Sequence, residues 1–232
     1  FFAIGVMCVA VGVLANYSVP KLDAHVAHAK DKHVLHAMGQ VLGEHNQRMA
    51  LLLSGTMLFS AFTIIPYITL YLQNNHVMAS NEIPWLYFCG GVVTLFSGRW
   101  VGGLTDRLGK RQTFQRAALF SIIPMFAVTL LEPMPRPLVL LVTTVLFFAM
   151  NARMIPGMAL LTSAANPKFR GTFMSLNGAV QSFSMGIASW VGGMLLQSEP
   201  SGQVTHFWLC AVVATCASLL AYQLAKRVAM HA

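Results

Sequence analysis

The chain has 232 residues, 56% of them hydrophobic and only 9% charged, with a mean hydropathy of +0.63. Soluble domains carry about 25% charged residues, so this composition argues against an ordinary water-soluble enzyme and for a membrane protein. The net charge of +8 would suit a nucleic-acid partner if it formed one basic face, but the basic residues stand in short islands between apolar runs, so no nucleic-acid partner is expected.

Seven apolar runs follow one another along the chain: 1–18, 49–73, 84–104, 114–131, 138–161, 173–197 and 207–225. Only helices or closed barrels satisfy backbone polar groups in lipid. The runs are too long and too evenly apolar for the alternating strands of a barrel, about ten residues each. The expected fold class is therefore an all-α, polytopic membrane protein. The first run opens without methionine and already inside a hydrophobic helix, which reads as a fragment whose earlier part lies upstream. The four cysteines, Cys8, Cys89, Cys210 and Cys216, sit inside apolar runs at no zinc-binding spacing and read as free thiols.

Orientation follows from the loops. Of the 15 Lys and Arg residues, twelve fall on one side: Lys21, Lys30, Lys32, Arg48, Arg107, Lys110, Arg111, Arg116, Lys168, Arg170, Lys226 and Arg227. Arg136 alone marks the other side, and Arg99 and Arg153 lie within runs. Excess basic charge stays in the cytoplasm, so the C-terminus is expected there. Most connections are short, but residues 19–48 form a long cytoplasmic linker between the first run and the next six. Four divisions are expected: 1–18, the truncated last helix of one half; 19–48, the linker; 49–225, a six-helix half; and 226–232, a cytoplasmic tail. Within the linker, Leu22, Val26, Ala29 and His33 follow helical spacing and suit an amphipathic surface helix.

Between the third and fourth runs stands Gly102-Gly103-Leu104-Thr105-Asp106-Arg107-Leu108-Gly109-Lys110-Arg111, the pattern G-x-L-x-D-R-x-G-K-R at a turn between helices. It resembles the signature loop of the major facilitator superfamily, which recurs between the second and third helices of each half. Arg153-Met154-Ile155-Pro156-Gly157-Met158-Ala159 looks like a weak copy of the family's R-x-x-x-G-x-x-A helix pattern. Asn166-Pro167-Lys168-Phe169-Arg170-Gly171-Thr172 is similar to the basic loop opening the next helix in the drug- and sugar-efflux branch. The resemblance implies a six-helix bundle of that family plus one helix of the other half. It further implies a secondary transporter that moves a small molecule across the cytoplasmic (inner) membrane by alternating access, as an efflux carrier exchanging with protons. The partners would be the small-molecule substrate, protons, the bilayer and the missing N-terminal half.

In that reading Gly102, Asp106, Arg107, Gly109, Lys110, Arg111 and Arg170 form a conformational-switch loop, with Asp106 against the helix start at Arg170. Polar groups inside a membrane are costly and tend to face a bundle interior or a cavity. Arg153, Asn151, Asn177, Gln181, Thr63 and Tyr67 are the candidates for substrate or coupling. Arg153 either snorkels or pairs structurally, or it serves the pathway. Asn177 and Gln181, four apart on one face, either join helices or meet substrate. Arg99 reads as snorkelling. Pro66 bends the helix that carries Thr63 and Tyr67. Gly178, Ser182 and Gly186 form a stripe of small residues suited to close helix contact. All seven acidic residues lie in loops or at helix ends, which sends any proton site to the missing half. No catalytic residue, metal site or cofactor is expected. A seven-helix receptor or light-sensing protein is the competing reading, and it rests on topology alone.

Overall fold

The computed structural model describes residues 2–18, 34–75, 78–200 and 202–230. It divides into a short unit, Phe1–Ala37, and a bundle, Met38–Ala232. The short unit contains α1 (Phe2–Ser18). The expected amphipathic helix through Leu22, Val26, Ala29 and His33 lies outside the described residues. The later part of the linker is helical: α2 spans Val34–Gly43, and its Val41 is fully buried in a core cluster that also holds Ala50, Leu51, Ala225 and Val228. The first long helix of the bundle starts four residues earlier than expected, at His45.

The run 49–73 is two helices, α3 (His45–Phe62) and α4 (Ile65–Asn75). Pro66 explains the break. It has no N–H to give the carbonyl four residues back, and its ring crowds that carbonyl. The chain tightens here, with Ile64 N–H bonding to Ala61 O at 3.2 Å and Tyr67 N–H to Ile64 O at 3.1 Å. Next come α5 (Ile83–Leu108), α6 (Lys110–Thr129), α7 (Arg136–Ala164), a 3-10 turn (Pro167–Phe169), α8 (Arg170–Leu195) and α9 (Phe207–Arg227). An antiparallel hairpin unforeseen in the sequence, β1 (Gln197–Ser198) with β2 (Val204–Thr205), joins α8 to α9.

Among the described residues three segments, His45–Asn75, Arg136–Ala164 and Phe207–Arg227, are long and apolar enough to cross a membrane by length and composition. Helices α5, α6 and α8 have the length, with 26, 20 and 26 residues against the roughly 20 a bilayer needs. Their arginines, amides and small residues lower their apolarity.

The packing has an internal order. Helix α7 lies against α5 and α6, and α3 lies against α8 and α9; α6 touches α9, and α3 touches α7. Exchanging α3 with α7, α5 with α8 and α6 with α9 maps this set of contacts onto itself. Two three-helix units, α3 with α5 and α6 and α7 with α8 and α9, are thus interleaved. Two cores fill the bundle. One, around Phe114, Leu160 and Phe173, lies toward the basic end, and the other, around Ile68, Met125 and Phe207, toward the hairpin end.

Two asparagines clip the first span to the last. Asn46 donates to Ala229 O at 2.8 Å and accepts from Ala229 N–H at 2.7 Å. Asn75 does the same with Val204, at 2.9 Å in both directions. Each amide replaces a strand partner for backbone that flanks α9. The described cysteines are free thiols, as their spacing suggested.

A single residue, Gly109, separates α5 from α6, with φ 87° and ψ 147°. That region is essentially reserved for glycine. Gly109→Ala is expected to cost about 1–3 kcal/mol although nothing lies within 4 Å of its Cβ position. Thermal unfolding of the purified protein measures this loss, which is backbone strain alone.

Candidate functional site: a turn at the basic end and a buried arginine

The turn is built from the end of α5 and the start of α6. Gly109 N–H bonds to Thr105 O at 3.0 Å, and Thr113 Oγ1 donates to Gly109 O at 3.0 Å. Lys110 Nζ donates to Ser163 Oγ near the end of α7. Arg111 Nη2 donates to Val228 O at 2.6 Å, just past α9. The turn's two basic residues therefore fasten it to the ends of two other helices, a role the sequence did not assign them.

Asp106 and Arg107 point outward, and Arg170 is exposed at the start of α8. Among the described residues no ion pair joins Asp106 to Arg170. Asp106 occupies the exposed face of the last turn of α5, away from the buried Thr105 and Val101. Gly102 is half-buried with open space at its Cβ position, so no neighbouring helix requires a glycine there.

Arg153 is 2% exposed, which removes snorkelling as its role. Its Nη1 donates to Ser60 Oγ on α3 at 3.0 Å and to Ser218 Oγ on α9 at 2.8 Å. Its Nη2 donates to the Met57 carbonyl at 3.3 Å. The two serine hydroxyls bond to each other at 2.8 Å. One guanidinium thus ties α7, α3 and α9 together through neutral acceptors only. Gly157, one turn along α7, makes the approach possible, since a Cβ there would stand 2.7 Å from Met57 Sδ and 3.3 Å from the Phe114 ring. Ser60 and Ser218 were missed from sequence; two serines in separate apolar runs carry no sign that they meet.

The remaining candidates divide among other contacts. Asn151 faces α5, donating to Ser97 Oγ at 3.1 Å and Thr94 O at 3.3 Å. Gln181 donates to Ser54 Oγ on α3 at 2.9 Å. Asn177 is 4% exposed and its Oδ1 has no hydrogen-bond partner. Thr63 bonds within its own helix, to Phe59 O at 2.8 Å. The Tyr67 hydroxyl donates to Ser189 O on α8, and its ring lies over Gly192 and Gly193. Two of the six candidates, Asn151 and Arg153, line one cavity of about 240 Å³ between α3 and α7, together with Met57, Phe62, Met150 and Met154. Thr63, Tyr67, Asn177 and Gln181 are not part of it.

The stripe Gly178–Ser182–Gly186 is not packed within the bundle, and Gly178 and Gly186 have open space at their Cβ positions. Close approach of α3 and α8 occurs instead at Gly55, whose Cβ would stand 2.9 Å from Ser184 Oγ, and at Gly192. Arg99 is exposed.

The family model described as Major Facilitator Superfamily matches residues 50–230, from within α3 to the end of α9. A similar solved structure is a bacterial homologue of the iron transporter ferroportin in an outward-facing state. It is 19% identical with a TM-score of 0.60, and the alignment covers 77% of this chain. The chain spans 44% of that protein's length. No curated protein matches the chain in sequence. These findings favour a transporter fold over the seven-helix receptor. The chain belongs to the Major Facilitator Superfamily.

Proposed function

We propose that this chain is part of a secondary transporter that carries a small molecule across the cytoplasmic membrane by alternating access, outward and in exchange for protons. The observation that carries the reading is the pair of interleaved three-helix units related by exchange of α3 with α7. Such a unit can rock as one body against a second half around a central cavity. The Gly109 turn suits the switch in this scheme, because Lys110 and Arg111 transmit its position to the ends of α7 and α9. Asp106, exposed and unpaired among the described residues, is free to change partners during the cycle.

The remaining details rest on sequence. The basic islands put the turn and the C-terminus in the cytoplasm. Proton exchange and outward direction follow the resemblance to the efflux branch. The proton-binding carboxylate belongs to the remainder of the protein, because every acidic residue here is in a loop or at a helix end.

Transport by the protein in liposomes, driven by an imposed pH gradient, tests this directly. Asp106→Asn keeps the shape and removes the charge. It is expected to slow transport about tenfold, a barrier increase of about 1.4 kcal/mol, with insertion and thermal stability unchanged. Normal transport by that variant removes Asp106 from the switch. Uptake indifferent to the pH gradient removes the proton.

A further inference from the structure

We propose that the cavity between α3 and α7 takes the oxyanion of an amphiphile, with Arg153 as its counter-charge. This deepens the transporter reading and rests on it, since the amphiphile would be the substrate. Arg153 carries a full charge into the membrane interior, and every acceptor it meets is neutral: two serine hydroxyls and one backbone carbonyl. A guanidinium has five N–H donors, and three of them are engaged. Ser60 and Ser218 share one hydroxyl hydrogen between them, so the other serine's hydrogen is unspent too. The cluster has a charge and surplus donors, and among the described residues no carboxylate answers them. A buried charge without a partner is expensive, whereas a carboxylate or phosphate oxygen accepts charge-assisted hydrogen bonds from such a cluster.

The rest of the cavity defines what the oxyanion is attached to. Met57, Phe62, Met150 and Met154 line it, with Asn151 the one other polar side chain. Methionine adapts to irregular apolar shapes, and a volume of about 240 Å³ suits a short hydrocarbon chain or small ring. Apolar walls around one cation select an anionic amphiphile against a neutral or cationic one of the same size.

Decanoate, decanol and decyltrimethylammonium share one chain and differ in charge. Their binding to the purified protein in nanodiscs of neutral phosphatidylcholine, read by displacement of radiolabelled decanoate, tests the idea. Decanoate is expected to bind at least about tenfold more tightly than the other two. Arg153→Met, of similar length, is expected to erase that preference, and Arg153→Lys to keep part of it. Equal binding of the three probes to the unaltered protein overturns the proposal, whether or not the variants fold. Including phosphatidylglycerol in the nanodisc separates two sources of the same chemistry. Loss of decanoate binding to that lipid assigns the oxyanion to a headgroup and overturns the substrate role. Absent decanoate binding alongside intact pH-driven transport removes the anion site and leaves the transporter reading standing.

Discussion

Arg153→Ala is expected to slow transport about a hundredfold, about 2.7 kcal/mol in the barrier, while Arg99→Ala leaves it near normal. The two arginines look alike in sequence, each a lone charge within an apolar run. The structure separates them: Arg99 is exposed, and Arg153 is buried with three hydrogen bonds to two other helices. Truncating Arg153 removes the link between α7, α3 and α9, leaves a hole, and removes the one charge in the cavity. A loss of about 2–4 kcal/mol of stability is expected for the alanine variant. Methionine distinguishes structure from chemistry. Replacing a buried charge by an apolar side chain of similar volume is often neutral or stabilising. Arg153→Met is therefore expected to unfold at nearly the normal temperature while transporting as poorly as Arg153→Ala. Thermal unfolding and liposome transport on the same preparations decide the matter. Recovery of transport in the methionine variant would reduce Arg153 to a helix fastener.

Gly192→Ala is expected to destabilise the bundle by about 2–3 kcal/mol, the upper range for overpacking. A Cβ at this position would stand 2.6 Å from Tyr67 Cε2 and 2.8 Å from the Thr63 carbonyl oxygen. The tyrosine ring is held in place by its bond to Ser189 O, so it cannot swing aside freely. The Thr63 carbonyl belongs to the backbone at the break between α3 and α4, and moving it means moving the bend. Removing the ring should therefore relieve part of the strain and not all of it. In a double-mutant cycle, Tyr67→Ala with Gly192→Ala is expected to be less destabilised than the sum of the single changes, by about 1 kcal/mol. Strict additivity in thermal unfolding would mean that the ring is not the obstacle. Because the contact sits at the Pro66 bend, the same variants also report on whether α8 braces that bend during transport.

The two experiments bear on different parts of one arrangement. Arg153 joins α3 to α7 and α9 midway along the bundle, and Gly192 seats α8 against the break above it. Asn46 and Asn75 clip the two ends of the same span to backbone next to α9. Of the polar residues that looked like a substrate path, Gln181 and Tyr67 help to hold α3 and α4 in place, Asn151 bonds to α5, and the Asn177 Oδ1 and the charge of Arg153 remain unanswered among the described residues.

Local chemistry was readable along the chain. Hydropathy marks where each helix exists, because burial of apolar side chains and satisfaction of the backbone act over a single span. The Gly109 turn was legible because a one-residue reversal with positive φ has almost no other occupant. Pro66 signalled a bend for a similarly local reason, although the sequence did not show that it would split the helix in two. The partners of the polar side chains were another matter. Arg153 meets residues 93 and 65 positions away, and Asn46 meets one 183 positions away. Nothing in a hydropathy pattern says which helices become neighbours. That was decided by the interleaving of the two three-helix units, which sets α3 against α8 and α9 and leaves the small residues of α8, Gly178 and Gly186, unpacked. The chain's sequence by itself determined a string of apolar helices and a family-marked turn. The tertiary structure decided that Arg153 is buried and, among the described residues, unanswered by any acid, because only packing places its charge among acceptors from two other helices.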